Sequence, residues 1–593
     1  MDIDDIRNLI WDFCWIAALK NATQFGGTPN PGPVKGKVMK EFSEVRKHAK
    51  LVDPIIKEAC DKVSEMSVEE QKEELMKVAL EAFETEKSSE EEKGLPDLPN
   101  IDKHEKIVMR LAPYPSGALH VGNARMIILN DEYAKKHGGE LILFFDDTIG
   151  SPKSLRDTPK AKYVLPEAYE LIENGLKWLG VKYSKIYYKS DRLESFYEYC
   201  EKLIRDKMAY VCFCDGKVFR EQYKKPGIPC PHRDASIDDN LKEWDDMLQR
   251  KYGEMEAVVR IKTGMDQKDP ALRDQIIMRI SEAEHPRVGK KYIVWPMLEF
   301  SWAIDDHLIG VSHIVRGSDL VKEDFIEDFI WDHFQWKKAE FLHYGRLRFP
   351  NMKLSKTEAR NNIVHGIYEG WEDPRTWSLQ SLEKRGIQPE ALRKYLVELG
   401  MSMSGITFDV KKLYAKNQDI IDGIADRYFY VEDPVPVVIE GIPKALEEYI
   451  AEPLLLPSDE KKGRRLIRGK TDKNNKLHMF VALSDAQAMK VGQVIRLKDL
   501  LNMQILSIDV KKKKIIAYYH SIELSREYKI IHWVPKEDKI NVSILKVDGT
   551  RSRGFGESNL LKIPMNKVIQ FERYGFVNPL RLNQGELICY FTH

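Results

Sequence analysis

Cysteine is scarce, with 7 in 593 residues, three of them crowded between 212 and 230. That is too few and too uneven for a disulfide-stapled secreted framework, and reduced thiols with one metal site are the expectation. Net charge is missing too, because 93 basic residues balance 93 acidic ones. No global positive field announces a nucleic-acid partner, so one must be met by local patches. No uncharged run approaches the roughly 18 to 20 apolar residues of a membrane span. The acidic start MDIDDIRNLI lacks the basic flank of a secretion signal. The expected address is the cytoplasm, with no membrane partner. There is no repeat of 20 to 50 residues, and KKKK at 511–514 is the only low-complexity scrap, read as a solvated turn with a phosphate contact as the alternative.

What is present is ordinary folded protein, 43% hydrophobic and 31% charged, long enough for about four domains at roughly 150 residues each. Residues 1–85 read as a helical appendage: Ile6, Ile10, Phe13 and Ala17 fall three and four apart, and Leu75, Val78, Ala79 and Ala82 follow the turn TPNPGP. The charged stretch within 86–104 reads as a linker. From 105 to 208 short apolar runs (EKIVMRLAP, ELILFFDDT) alternate with amphipathic helices, which predicts a parallel α/β sheet. Residues 209–290 interrupt it as an α+β insertion, and the α/β pattern resumes over 291–360 at KYIVWPMLEF and HLIGVSHIVRG. Helical periodicity governs 361–432, including IIDGIADRYFYV. Short strands separated by turns over 433–593 predict antiparallel β-barrels.

The segment MRLAPYPSGALHVGNARMIILNDEYA ends a strand at Pro113 and opens a helix near His120. Free amides at such a helix start hold phosphate. His120 is placed to donate to a phosphate oxygen, Gly122 lets a flat base approach the backbone, and Asn123 adds an amide. The competing reading is a histidine that merely caps the helix. About 230 residues later, FPNMKLSKTEAR sets Lys353 and Lys356 around Leu354 and Ser355, a lysine pair suited to neutralising charge that grows on a triphosphate.

These two segments, in this order, resemble the signature sequences of class I aminoacyl-tRNA synthetases. APYPSGALHVGNAR, LILFFDDT, GLKWLGV, AYVCFCDG, PCPHRD, IDDHLIGVSHIVRG, YEGWEDPRTWSLQSLEKRGI, NQDIIDGIADRYFYV and IQFERYGFV narrow the resemblance to glutamyl-tRNA synthetases of the archaeal and eukaryotic type. The resemblance implies a Rossmann-type catalytic core in which glutamate, ATP and Mg2+ form glutamyl-adenylate before transfer to tRNA. His120, Lys353 and Lys356 would be catalytic, with Gly122, Asn123 and Ser355 joining them on ATP. It implies that Arg110 holds the substrate, Asp146 receives its α-ammonium, and Arg316 faces the side-chain carboxylate. It further implies that 209–290 meets the tRNA acceptor end, 361–432 the stem, and 433–593 the anticodon. Charging of tRNA(Gln) with glutamate, and with it a tRNA-dependent amidotransferase partner, is an open extension. The rivals are a glutamine-specific ligase, disfavoured by Arg316, and a catalytically silent tRNA-binding protein.

The sequence departs from the family pattern at four wall positions, with Tyr114 for serine, Phe144 for arginine, Ile149 for aspartate and Leu298 for tyrosine. Tyr114 is expected to supply the phenol lost at Leu298. Asn123 replaces the second histidine of the usual signature. Cys212, Cys214, Cys230 and His232 form a C-x-C and C-x-H pair suited to a tetrahedral structural zinc site, with free thiols as the alternative. Cys14, Cys60, Cys200 and Cys589 read as small hydrophobes. Basic stretches at 460–470 and 551–558, with His532, Trp533, Phe571 and Tyr574 nearby in sequence, suit stacking on splayed bases or, alternatively, a barrel core.

Overall fold

The structure is a computed structural model that describes residues 3–24, 27–42, 45, 48–71, 74, 95–149, 163–350, 352–509 and 514–593. It divides into two units, Met1–Gly94 and Leu95–His593.

The first unit packs three helices, α1 (Ile3–Gln24), α2 (Pro31–Glu41) and α3 (Ala49–Ser64). Asn30 starts α2 by accepting the Gly32 N–H at 3.0 Å, and Pro31 takes the position where a missing N–H costs nothing. Ile6, Ile10 and Ala17 are buried as their spacing predicts, together with Val34, Val38, Val52 and Ile56. The stretch expected to be helical at Leu75–Ala82 and the first part of the linker lie outside the described residues, as do residues 511–513 of the KKKK run. The rest of the linker belongs to the second unit and is not free chain: Leu95 and Leu98 are buried in its core.

The second unit is built on a parallel sheet. β1 (Val108–Leu111) leads through α4 (Val121–Lys136) to β2 (Glu140–Phe145), and β2 pairs in parallel with β3 (Ile186–Tyr188). After the insertion, α5 (Leu298–Ile309) precedes β4 (His313–Gly317), which reaches its parallel partner β5 (Glu340–Tyr344) through α6 (Val321–His333). Ser312 joins the halves: its N–H donates to the Val108 carbonyl at 2.9 Å and its Oγ accepts the Val108 N–H at 2.8 Å. The β4-β5 pair therefore lies beside β1 of the β1-β2-β3 sheet, and chain direction away from the centre reverses between β1 and β4, the crevice where open parallel sheets bind ligands.

The insertion is a four-stranded antiparallel sheet of Ala209–Cys212, Val258–Ile261, Ile276–Ile280 and Val294–Pro296. KYIVWP therefore completes this sheet instead of resuming the parallel one, since a short apolar run reads alike in either. In the helical region, Arg427–Tyr428 and Tyr430–Glu432 are strands, so RYFYV is β where helix was expected. Aromatic and β-branched side chains favour the pleated surface once helix Val410–Ile421 ends. Two seven-stranded sheets follow, each mostly antiparallel with two parallel pairs. Among the described residues no helix is long and apolar enough to cross a membrane.

Candidate active site

The turn from β1 into α4 is fixed by its own side chains. His120 caps α4: its Nδ1 accepts the Gly122 N–H at 3.1 Å, while Asn123 Oδ1 accepts the His120 N–H at 3.2 Å. A ring whose Nδ1 accepts carries its proton on Nε2. Burial, with Lys356 nearby, pushes the imidazole down to about 3 and keeps it neutral. The capping reading holds, and it leaves the ring on the wall of two adjoining cavities of about 480 and 580 Å3 that share Ala112, His120, Met126, Leu298 and Leu354. A Cβ on Gly122 would stand 2.9 Å from His120 Cε1, so only glycine lets the ring lie where it does.

Arg110, Arg316 and Asp146 come from β1, β4 and the end of β2 to these cavities. Arg110 is buried, its Nη2 2.7 Å from Asp306 on α5 and its guanidinium 3.5 Å from the Trp302 ring centre. Of the two neighbouring aspartates, Asp147 is saturated, accepting from Ser190 N–H and Oγ and from the Tyr169 hydroxyl at 2.7 to 2.9 Å. Asp146 has Thr148 Oγ1 at 3.2 Å and lines the larger cavity, and burial raises its pKa. Lys189, fully buried 3.8 Å from Asp305, lies 3.5 Å over Trp302, and burial lowers it to about 8.

Arg316 has all three nitrogens on carboxylates. Nη1 donates to Glu327 at 2.7 Å, Nε to Asp324 at 3.1 Å, and Nη2 to Asp324 as well. Burial pushes the Glu327 carboxyl up to about 7, whereas the pairing raises the pKa of Arg316 against its own burial. Both directions leave the arginine charged and make Glu327 the group that takes a proton.

Tyr114, Ile149 and Leu298 line the larger cavity, and Phe144 stands edge-on to Trp302 with ring centres 5.0 Å apart. The Tyr114 hydroxyl is buried with no hydrogen-bond partner. Ser355 caps α7 (Lys356–Val364), and Ser355 and Lys356 line the larger cavity. Lys353 does not: it is exposed and paired with Glu358 at 3.1 Å. Trp302, Asp306, Lys189 and Glu327 were missed in the sequence. DDH stands inside a quoted phrase, but nothing in its spacing says which carboxylate holds Arg110.

Outside the cleft, Cys212, Cys214, Cys230 and His232 bring their ligand atoms within 4.8 Å of one another. Cys212 and Cys230 sulfurs are 3.9 Å apart, and Cys214 Sγ is 3.5 Å from His232 Nδ1. Zinc–sulfur bonds of about 2.3 Å at tetrahedral angles put sulfurs about 3.8 Å apart, so the donors fit zinc. The other cysteines are buried hydrophobes as expected.

The aromatic residues do not form a base-stacking surface. Trp533, between two short strands, and Phe571, on a strand, are fully buried and His532 nearly so, while Tyr574 packs edge-on against Tyr430. Alternating strands bury their aromatics, and the barrel-core alternative holds. Within the basic stretches Arg465 is buried between Glu557 and Glu572, each at 3.0 Å, whereas Arg464, Arg468, Arg551 and Arg553 are exposed.

The family of tRNA synthetases class I (E and Q) matches this chain by its catalytic domain at residues 106–422 and by anticodon-binding domains at 425–524 and 530–579. The glutamate–tRNA ligase of Pyrococcus abyssi is 41% identical over 97% of this chain and 98% of its own. That of Methanobrevibacter smithii is 39% identical over 100% of both. With its signature turn, its parallel sheet and its whole length thus accounted for, the chain belongs to the class I tRNA synthetases of the glutamate and glutamine group.

Proposed function

We propose that the chain is an ATP-dependent glutamate–tRNA ligase. The α-carboxylate of glutamate attacks the α-phosphate of ATP, pyrophosphate leaves, and a terminal ribose hydroxyl of tRNA takes the glutamyl group. The observation that carries this reading is the convergence of Arg110, Asp146, His120, Lys356 and Arg316 on two joined cavities at the crevice of the parallel sheet. No protein nucleophile is needed, and catalysis is positioning and charge stabilisation. Neutral His120 donates from Nε2 to phosphate; the free amides expected at the start of α4 are already taken, Val121 N–H by the Trp377 carbonyl, Gly122 N–H by His120 Nδ1 and Asn123 N–H by the His120 carbonyl, so the turn meets phosphate through the ring. Lys356 and Ser355 come from the other side, and Lys353 joins when the loop closes on the triphosphate. Magnesium bound with ATP would supply charge neutralisation on the phosphates. Asp146 takes the α-ammonium, Tyr114 gives its unpartnered hydroxyl to the amino acid, and Arg110 and Arg316 serve the carboxyl groups. Zinc on Cys212, Cys214, Cys230 and His232 would hold the insertion rigid.

Aminoacylation of separate tRNA(Glu) and tRNA(Gln) transcripts with labelled glutamate tests the reading. Glutamate on tRNA(Glu) supports it, and glutamate on tRNA(Gln) extends it to a misacylating enzyme that needs an amidotransferase. The work of such an enzyme is in the cytoplasm, where its tRNA and ATP are. One observation favours the glutamine-specific rival: the carboxylates on Arg316 cancel the charge that would select glutamate. Charging with glutamine instead would establish that rival.

A further inference from the structure

Arg316 is the residue that the ligase reading gives to the substrate's side-chain carboxylate, yet each of its three nitrogens already donates to an acid, which leaves two of its five N–H donors. Asp324 occupies Nε and Nη2, and Glu327 occupies Nη1. Both acids project from α6 immediately behind β4, and Glu327 is fully buried. Its second oxygen, Oε2, is buried without any hydrogen-bond partner. An ionised oxygen left so is costly, and removing its charge lifts most of that cost.

The neighbouring charges do not relieve it. Asp306 on α5 and Arg110 on β1 act on Glu327 from the cleft side, already paired with each other. His343 on β5 lies 3.1 Å from Asp324 Oδ2, and Glu323 on α6 and Glu299 on α5 add carboxylates on the same side. Three carboxylates, Asp306, Asp324 and Glu327, thus sit directly on Arg110 and Arg316, while Arg125, Arg346 and Asp319 line the same cavity farther from these pairs. A substrate carboxylate approaching Arg316 competes with two acids already on that guanidinium, unless one of them is neutral.

We propose that Glu327 sets the side-chain specificity of this site. Ionised, it is the second carboxylate on Arg316; protonated, it leaves Asp324 as the one charged partner there and lets a substrate carboxylate take the second place, so that glutamate binding takes up a proton at Glu327. The proton comes from solvent and no other bond changes. Burial, which raises the Glu327 pKa, makes this uptake accessible near neutral pH. Glu327 is a positioning residue: it acts through Arg316 and need not touch substrate. The inference rests on the ligase reading and deepens it.

The test is ATP–pyrophosphate exchange with tRNA present, measuring KM for glutamate and for ATP from about pH 6 to 8.5 in the wild type and Glu327→Gln. The wild-type KM for glutamate should climb toward about tenfold per pH unit at the alkaline end while KM for ATP stays level. In Glu327→Gln the glutamate KM should stay near its low-pH value throughout. A flat wild-type profile, or an unchanged rise in the variant, overturns the proposal while leaving the ligase reading intact. Should the variant not fold, calorimetry of glutamate binding to the wild type in two buffers of different ionisation enthalpy decides: proton uptake supports the proposal and its absence overturns it. No exchange with glutamate at any pH overturns the ligase reading itself.

Discussion

His120 and Gly122 are locked together: the histidine Nδ1 accepts the glycine N–H at 3.1 Å, and the space where a Cβ would sit is filled by the same ring. Gly122→Ala must displace the imidazole, because Cβ would stand 2.9 Å from Cε1. We expect kcat/KM for ATP to fall on the order of a hundredfold while the melting temperature moves by only a few degrees. A variant with unchanged steady-state kinetics would show that His120 does not serve ATP.

The two lysines of the KLSKT loop are unequal in this structure. Lys356 lines the cavity of His120, whereas Lys353 is exposed on Glu358. Lys356→Ala should lower kcat by about 10² to 10³ with little change in KM for glutamate. Lys353→Ala should show its loss only in single-turnover formation of the adenylate, where loop closure counts. Equal losses in steady-state binding of ATP would mean that both already sit on the nucleotide site.

Tyr114→Phe separates folding from binding. Its hydroxyl is buried without a partner in the free protein, so removing it should hold or raise the melting temperature. If the hydroxyl serves the amino acid, KM for glutamate should rise roughly tenfold. Unchanged affinity would end the idea that this phenol replaces the one absent at Leu298.

For the Cys212, Cys214, Cys230 and His232 cluster, elemental analysis of purified protein should find one zinc per chain, and Cys230→Ser should lose it. Removing the metal with a chelator should lower the melting temperature, because binding free energy is folding free energy at such a site. Metal-free protein that melts unchanged in chelator would leave four ordinary thiol and imidazole groups.

His532 gives the fold a pH dependence of known sign. Burial holds its pKa down to about 4 in the folded protein, against an ordinary value of 6.5. Between these values the unfolded chain binds a proton that the folded one refuses, so stability falls as pH drops through that window. Relative to His532→Phe, the wild type should lose up to about 1.4 kcal/mol per pH unit between roughly pH 6 and 4. Parallel unfolding curves for the two proteins across this range would contradict it.

Local chemistry was legible in the sequence. HVGN announces a helix start because its partners lie within three residues, and the DD pair and SHIVRG announce strand ends beside a cleft. What stayed hidden depends on residues far apart. Lys189 reaches Ser301 across 112 positions and Arg110 reaches Asp306 across 196. No spacing rule says that Trp302 lies against both cations or that Glu327 is buried behind Arg316. The barrel aromatics failed for another reason: a strand that buries Phe571 and one that offers it to a base have the same alternation. KYIVWP misled because edge pairing, parallel or antiparallel, is decided by the partner strand.

The central claim is that these cavities activate glutamate for transfer to tRNA. The most direct measurement is ATP–pyrophosphate exchange by the purified protein with glutamate or glutamine, each with and without tRNA. The account predicts exchange with glutamate when tRNA is present. No exchange under any of the four conditions, from protein that still binds tRNA, would contradict it and leave a silent tRNA-binding protein.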